Sequence, residues 1–188
     1  MEQSLVTLQA RTEVCNMEHA HYRGGFLYVI RDKTSADSAM AFIKIAVTDQ
    51  LLDIQRQSRH SNIATPFLVH RKPLRNRRGW TEGKAHWSYV LPEYLSKAFA
   101  EARDASGLYD QLNPDERPTF HEIRGLGGRL YLDLGISKAA IQALMTHTSQ
   151  RITEIYLERG AAALRDDDYL TVTAPMRLDA IGIASGAA

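Results

Sequence analysis

The stretch Pro118–Gly135, PTFHEIRGLGGRLYLDLG, carries a helix with marked ends and a pair of side chains suited to an anion. Thr119-x-x-Glu122 has the capping-box pattern, in which the Thr119 hydroxyl accepts from the Glu122 amide while the Glu122 carboxylate reaches back. The helix it opens should run to about Leu134 and stop at Gly135. His121 and Arg124 stand at i and i+3 and so share a face. They also fall in the first turns, where free amides and the helix dipole favour negative charge. An arginine fork beside a histidine is a good phosphate clamp there. His-x-x-Arg by itself is common on helix surfaces, so its weight depends on the rest of the chain.

Downstream, Ser137 can cap a second helix to about Met145. Leu144–Arg159, LMTHTSQRITEIYLER, then holds His147 and Tyr156. Nine residues of one continuous helix turn through about 900°, which would set these two side chains on opposite sides. Thr148-Ser149 is a fresh cap signal directly after His147. A break there, with a third helix to about Arg159 closed by Gly160, lets both reach one site. Read singly, His147 is an ordinary structural histidine and Tyr156 a half-buried aromatic.

Upstream, Ser4–Met17 has helical spacing and should pack through Leu5, Leu8 and Val14. FLYVI and MAFIKIAV, around a turn RDKTSADS, read as a β-hairpin of roughly Phe26–Ile30 and Met40–Val47, with Lys33 near the turn. Thr48-Asp49 can cap a helix to about Arg59, and ATPFLV is a candidate short strand. Tyr89–Ser106 looks largely helical, with Pro92 in its first turn. After Asp166–Asp168, YLTVTA is a candidate last strand.

The chain has 188 residues, enough for one domain with a substantial core, and 44% hydrophobic and 24% charged residues, as is usual for globular proteins. One cysteine, Cys15, excludes an internal disulfide framework and a cysteine-based zinc site, which fits a reducing compartment. MEQSLVTLQA lacks a basic n-region and a long apolar core, and no apolar run of about 18 residues suggests a membrane span. The net charge of +1 is unevenly spread. Between Arg56 and Lys84 stand eight Lys or Arg against one acid, a patch suited to a phosphate-bearing partner or to a solvated loop.

His121-x-x-Arg124, His147 twenty-three residues on and Tyr156 nine further resemble the tyrosine recombinase family, the phage-type integrases. The surrounding words match: PTFHEIRGLGGRLYLDLG the box around His-x-x-Arg, LMTHTSQRITEIYL the Leu-Gly-His box and its tyrosine. FLYVIRDKTS is similar to the hairpin presenting a catalytic lysine, and VTLQARTEVCNM to the helix bearing the first arginine. The resemblance implies an α+β, mainly helical catalytic domain with a small antiparallel sheet or hairpin beside a helical core. It implies residues 1–165 as that domain and 166–188 as a C-terminal tail with a short strand, the N-terminal DNA-binding domain being absent.

The implied reaction is DNA cleavage and rejoining through a 3′-phosphotyrosyl bond, with no metal and no cofactor. Tyr156 is the expected nucleophile, with His121, Arg124, His147 and Lys33 as the other catalytic groups. Arg71, Lys72, Arg75, Arg77 and Arg78, with Trp80 and Trp87 nearby, are the expected contacts to double-stranded DNA. The expected setting is the cytoplasm of a bacterium, with no membrane partner. The segment after Gly160 packs either on its own core or on a neighbouring protomer, the second being the route to a tetramer on DNA. Two positions depart from the family pattern Thr-Gly-x-Arg-x-x-Glu: Leu8 stands at the glycine and Ala10 at the arginine, with Arg11 one place on. Thr146 replaces the usual glycine before the histidine. Loss of one preorganised phosphate donor should slow the chemistry by about 10²–10³-fold unless Arg11 is recruited.

Overall fold

The computed structural model describes residues 1–31, 41–73, 79, 81–145 and 165–183. Six helices are found among them: α1 (Glu2–Thr7), α2 (Arg11–Asn16), α3 (Asp49–His60), α4 (Pro92–Ala105), α5 (Glu122–Asp133) and α6 (Lys138–Met145). Four strands, β1 (Tyr22–Arg23), β2 (Phe26–Arg31), β3 (Ala41–Ala46) and β4 (Leu170–Thr173), form one sheet in that order.

The sheet follows from period-two patterning. Leu27 and Val29 of β2 and Ile43 and Ile45 of β3 are all buried on one face, where each contributes roughly 1.5–3 kcal/mol by leaving water. The other face carries Tyr28 and Phe42, against which Tyr169 stacks edge-on. β2 and β3 are antiparallel with Leu27 opposite Ile45, the hairpin expected from the sequence. β4 then pairs parallel to β3, with Val172 opposite Ile45. The sheet is therefore mixed rather than purely antiparallel, and the strand from the expected tail docks on the chain's own core. Lys44 donates to Asp166 just ahead of β4, and Tyr28 donates to the same carboxylate, so a buried-stem lysine secures the entry to the strand.

On the inner face, α1 packs against α3 and α5, α5 against α6, and α2 against α4. Thr48 caps α3 by accepting from the Leu51 amide (3.4 Å), and Pro92 occupies the first turn of α4, as their sequences dictate. Ser137 accepts from the Ala140 amide (3.2 Å) to start α6, and Gly135 ends α5 at a φ of 79°.

Two local expectations are corrected. Ser4–Met17 is not one helix: it breaks at Leu8, whose φ of 56° is left-handed, and restarts at Arg11. The break is held from a distance. Gln9 Nε2 donates to the carbonyls of Thr7 (2.8 Å) and Leu144 (2.9 Å), and the Tyr131 hydroxyl donates to the Val6 carbonyl (2.6 Å). ATPFLV forms no strand; Phe67 makes a single bridge to Glu18, and Leu68 N–H donates to Met17 carbonyl. The expected helix break at Thr148-Ser149 and the segment after it lie outside the described residues.

Candidate active site

The site is built around the first turn of α5. The connector leading into it is fixed by Arg103, which donates to the Pro118 carbonyl (2.8 Å), and by Arg117, which pairs with Asp104 (3.1 Å). The capping box forms in altered form. Glu122 reaches back to the Thr119 amide (2.6 Å) as expected, but the Thr119 hydroxyl donates to the same carboxylate (2.5 Å). Thr119 Oγ1 accepts from the His121 amide (3.3 Å) rather than from that of Glu122. His121 consequently occupies the N-cap with its side chain exposed. The Thr119 hydrogen bonds, hydroxyl first, hold the Glu122 carboxyl below its ordinary range, so it stays ionised and engaged with the cap.

Arg124 is half-buried one turn on, and its Nη2 donates to the Met145 carbonyl at the end of α6 (2.7 Å). Met145 O and Leu144 O thus take donors from Arg124 and Gln9, which ties the end of α6 to both α5 and the α1–α2 break. That break forms the opposite wall. Leu8, at the position where the family pattern has glycine, keeps the left-handed backbone that glycine favours. Ala10 is extended (φ −77°, ψ 173°) and caps α2, whose first residue is Arg11. Arg11 Nη1 donates to Ser96 Oγ (3.0 Å), and its Nη2 lies 3.9 Å from Glu93, both on α4. Ala10, Arg11, Ser96, Thr119, His121 and Arg124 together line one cleft of about 520 Å³.

The 100° rotation that would separate adjacent residues on a continuous helix does not keep Arg11 out, because residue 10 is not yet helical. Two guanidiniums and an imidazole therefore face one opening, an arrangement suited to a phosphate. Across His121 and Arg124 lies a second cleft of about 610 Å³, which also takes in Gly125, Arg129 and Met145. Sequence reading passed over Ser96 and Arg129; Arg129 carried a signal, since it stands eight residues after His121 on the same helix.

Among the expected DNA contacts, Arg71 stacks its guanidinium over Tyr94 of α4 (3.9 Å), and Lys72 is exposed. Lys84 sits beside them with its pKa lowered, by desolvation first and by Arg71 second. Lys33, Arg75, Arg77, Arg78, Trp80, His147 and Tyr156 lie outside the described residues, as does Thr146. Among the described residues, no cluster of three or more His, Cys, Asp or Glu could hold a metal, and no helix is long and apolar enough to cross a membrane.

No family model matches the chain. Among curated proteins, the integrase of Escherichia phage lambda is 30% identical over 161 residues, and that of Escherichia phage HK022 is 29% identical over 158. Each match covers 83% of this chain and 39% of the relative, so the chain spans about two fifths of their length. Among solved structures, the lambda integrase catalytic core superposes with a TM-score of 0.59 at 22% identity, covering 94% of this chain and 85% of that one. A lambda integrase (75-356) dimer bound to a COC′ core site gives 0.57 at 26% identity, covering 79% of this chain and 48% of that one. In sequence the chain is similar to the phage integrases, and it carries the fold of the tyrosine recombinase C-terminal catalytic domain.

Proposed function

We propose that the chain cleaves and rejoins DNA strands through a 3′-phosphotyrosyl intermediate. The observation that carries this reading is the convergence of Arg11, His121 and Arg124 on one cleft, in a chain whose relatives are integrases. In the proposed reaction the Tyr156 oxygen attacks a phosphodiester phosphorus and the bond to the 5′ oxygen breaks. A phenol is a weak nucleophile at neutral pH, so its proton must be taken, and His121 is the group assigned to that work. Charge gathers on the nonbridging oxygens, where Arg124 and His147 stabilise it. Lys33 returns a proton to the leaving 5′ oxygen. A second 5′ hydroxyl reverses the sequence, which conserves the bond and exchanges strands.

Arg11 supplies the second guanidinium that Ala10 cannot. It lines the same cleft, and Ser96 holds it in place. Double-stranded DNA is the partner, bound through phosphates along Arg71, Lys72, Arg75, Arg77 and Arg78. Assembly on DNA as a dimer or tetramer is proposed by likeness to the solved assemblies of lambda integrase; the tail's β4, Met176 and Leu178 pack on the chain's own core and do not supply the connection.

The test is a nicked duplex whose cleavage releases a short fragment and traps any protein–DNA adduct, scored on a denaturing gel. Wild type should form the adduct, and Tyr156→Phe should form none. Arg11→Ala should slow adduct formation by about 10²–10³-fold. A second reading, a relative that binds DNA without cutting it, is favoured by Ala10 alone. It gains if wild type forms no adduct and Ala10→Arg restores one. An adduct in Tyr156→Phe would end the nucleophile assignment.

A further inference from the structure

Helix α5 contains three interior glycines, and two have a structural reason. A Cβ on Gly127 would come within 2.5 Å of the Leu5 carbonyl oxygen, and one on Gly128 within 2.8 Å of Met145 Cε. Gly125 has no such reason among the described residues: it is exposed, and a Cβ there would meet none of their atoms within 4 Å. Glycine weakens a helix interior relative to alanine, so its presence at an open position calls for something outside the described residues that comes close. Its neighbours indicate what that is. His121, Gly125 and Arg129 climb one side of α5 at i, i+4 and i+8, with Arg124 on the flank toward α6. All four line the second cleft. Arg129 is exposed and has no hydrogen bond or ion pair among the described residues, so neither packing nor pairing within them accounts for it. The acid among the described residues of this cleft, Glu122, has its carboxylate engaged by Thr119.

We propose that Gly125 and Arg129 form a second phosphate subsite, over which the DNA sugar–phosphate chain passes as it leaves the phosphate held by His121 and Arg124. Arg129 takes the adjoining phosphate, and Gly125 leaves the bare surface that lets the backbone lie against the helix. From Arg124 to Arg129 the helix rises about 7.5 Å and turns about 140°, so the two side chains reach the cleft from different sides, at a spacing no shorter than one step along a nucleic-acid strand. The subsite rests on the reading of His121 and Arg124 as phosphate ligands, and the experiment separates the two.

Binding of the 188-residue chain to a labelled duplex is followed by fluorescence anisotropy from 50 to 200 mM salt, together with thermal melts of each variant. Gly125→Ala should raise the melting temperature by about 1–4 °C and yet weaken binding about fivefold or more. Arg129→Gln should leave the melting temperature within about 1 °C, weaken binding about tenfold at low salt, and flatten the slope of log K against log salt by about 0.9. Arg177→Gln, whose residue pairs with Asp179 on the surface, should leave that slope nearly as in wild type. The subsite is overturned if Arg129→Gln and Arg177→Gln give the same slope while Gly125→Ala binds like wild type. It is also overturned if Gly125→Ala melts lower, since the glycine would then serve contacts within the chain. A wild-type chain without salt-dependent binding overturns this proposal together with the phosphate reading of His121 and Arg124; retained wild-type binding confines the failure to the subsite.

Discussion

Replacing Gly127 with alanine tests the contact that sets the two walls of the candidate active-site cleft against each other. The added Cβ would lie 2.5 Å from Leu5 O and 2.6 Å from Leu8 Cδ2. Only the second can move cheaply, because the first is backbone of α1. Ordinary contact begins near 3.4 Å, so α5 must retreat from α1 by about 0.9 Å. That retreat also stretches the Tyr131–Val6 hydrogen bond, now 2.6 Å, beyond useful length. Overpacking costs about 1–3 kcal/mol and the weakened hydrogen bond about 1, against about 1 regained from helix propensity. A net loss of about 2 kcal/mol lowers the melting temperature by about 4–8 °C in a chain of this size. Urea unfolding followed by circular dichroism reads the loss as a lower midpoint at unchanged slope. Leu8→Ala alone should cost about 2–5 kcal/mol, because Leu8 is fully buried. In the double variant the new methyl occupies part of the space that Leu8 leaves, so the combined loss should fall short of the sum by about 1 kcal/mol. A Gly127→Ala protein that melts at or above wild type, or strictly additive losses, would refute the close-approach argument.

Three further outcomes follow from the same scaffold. Tyr131→Phe leaves the Val6 carbonyl without its donor in a buried setting and should cost about 1–3 kcal/mol in urea unfolding. Gln9→Leu strips a donor from both Thr7 O and Leu144 O and should cost about 2–4 kcal/mol, with proteolysis near the end of α6 accelerated before global unfolding. Asp166 has a depressed pKa, through its hydrogen bonds to Lys44 first and Tyr28 second, and Lys44 a raised one through Asp166. A depressed carboxylate stabilises above its unfolded pKa of about 3.9 and stops doing so as pH falls through the folded value. A raised lysine stabilises below its unfolded pKa of about 10.4 and stops doing so as pH rises through the folded value. The melting-temperature gap between wild type and Asp166→Asn should therefore be level from about pH 5 to 9 and close at both extremes; a gap that grows below pH 4 would contradict the pairing.

What the sequence disclosed and what it hid divide along the range of the interactions. The Thr48 and Ser137 caps, the Gly135 stop and the β2–β3 hairpin depend on residues a few places apart, and all were legible. The break at Leu8 was not, because leucine in a left-handed conformation is locally unfavourable by roughly 1–2 kcal/mol. Its compensation comes from Leu144 and Tyr131, more than a hundred residues away, and no local rule registers such partners. The parallel docking of β4 is hidden for the same reason: YLTVTA announces a strand, but its partner β3 is set by the tertiary fold. At the site, the His121–Arg124 pair could be read from helix spacing, whereas Ser96 reached the cleft only through the packing of α2 on α4.

Ala10, where the family pattern has arginine, stands on a backbone that accepts the larger side chain. After the left-handed turn at Leu8, Ala10 has an extended backbone that arginine adopts without strain, at the edge of a cleft of about 520 Å³. Ala10→Arg should therefore fold as wild type does. Its new guanidinium would share the cleft with Arg11 and Arg124, and three like charges at close range repel unless an anion sits among them. The gain from Ala10→Arg must then appear in the DNA-bound state far more than in the free protein. Stability should hold or fall slightly, while DNA affinity and its salt dependence both rise. A variant that gained thermal stability but no affinity would mean that residue 10 faces away from the phosphate, and with it the shared-cleft account of Arg11 would fail.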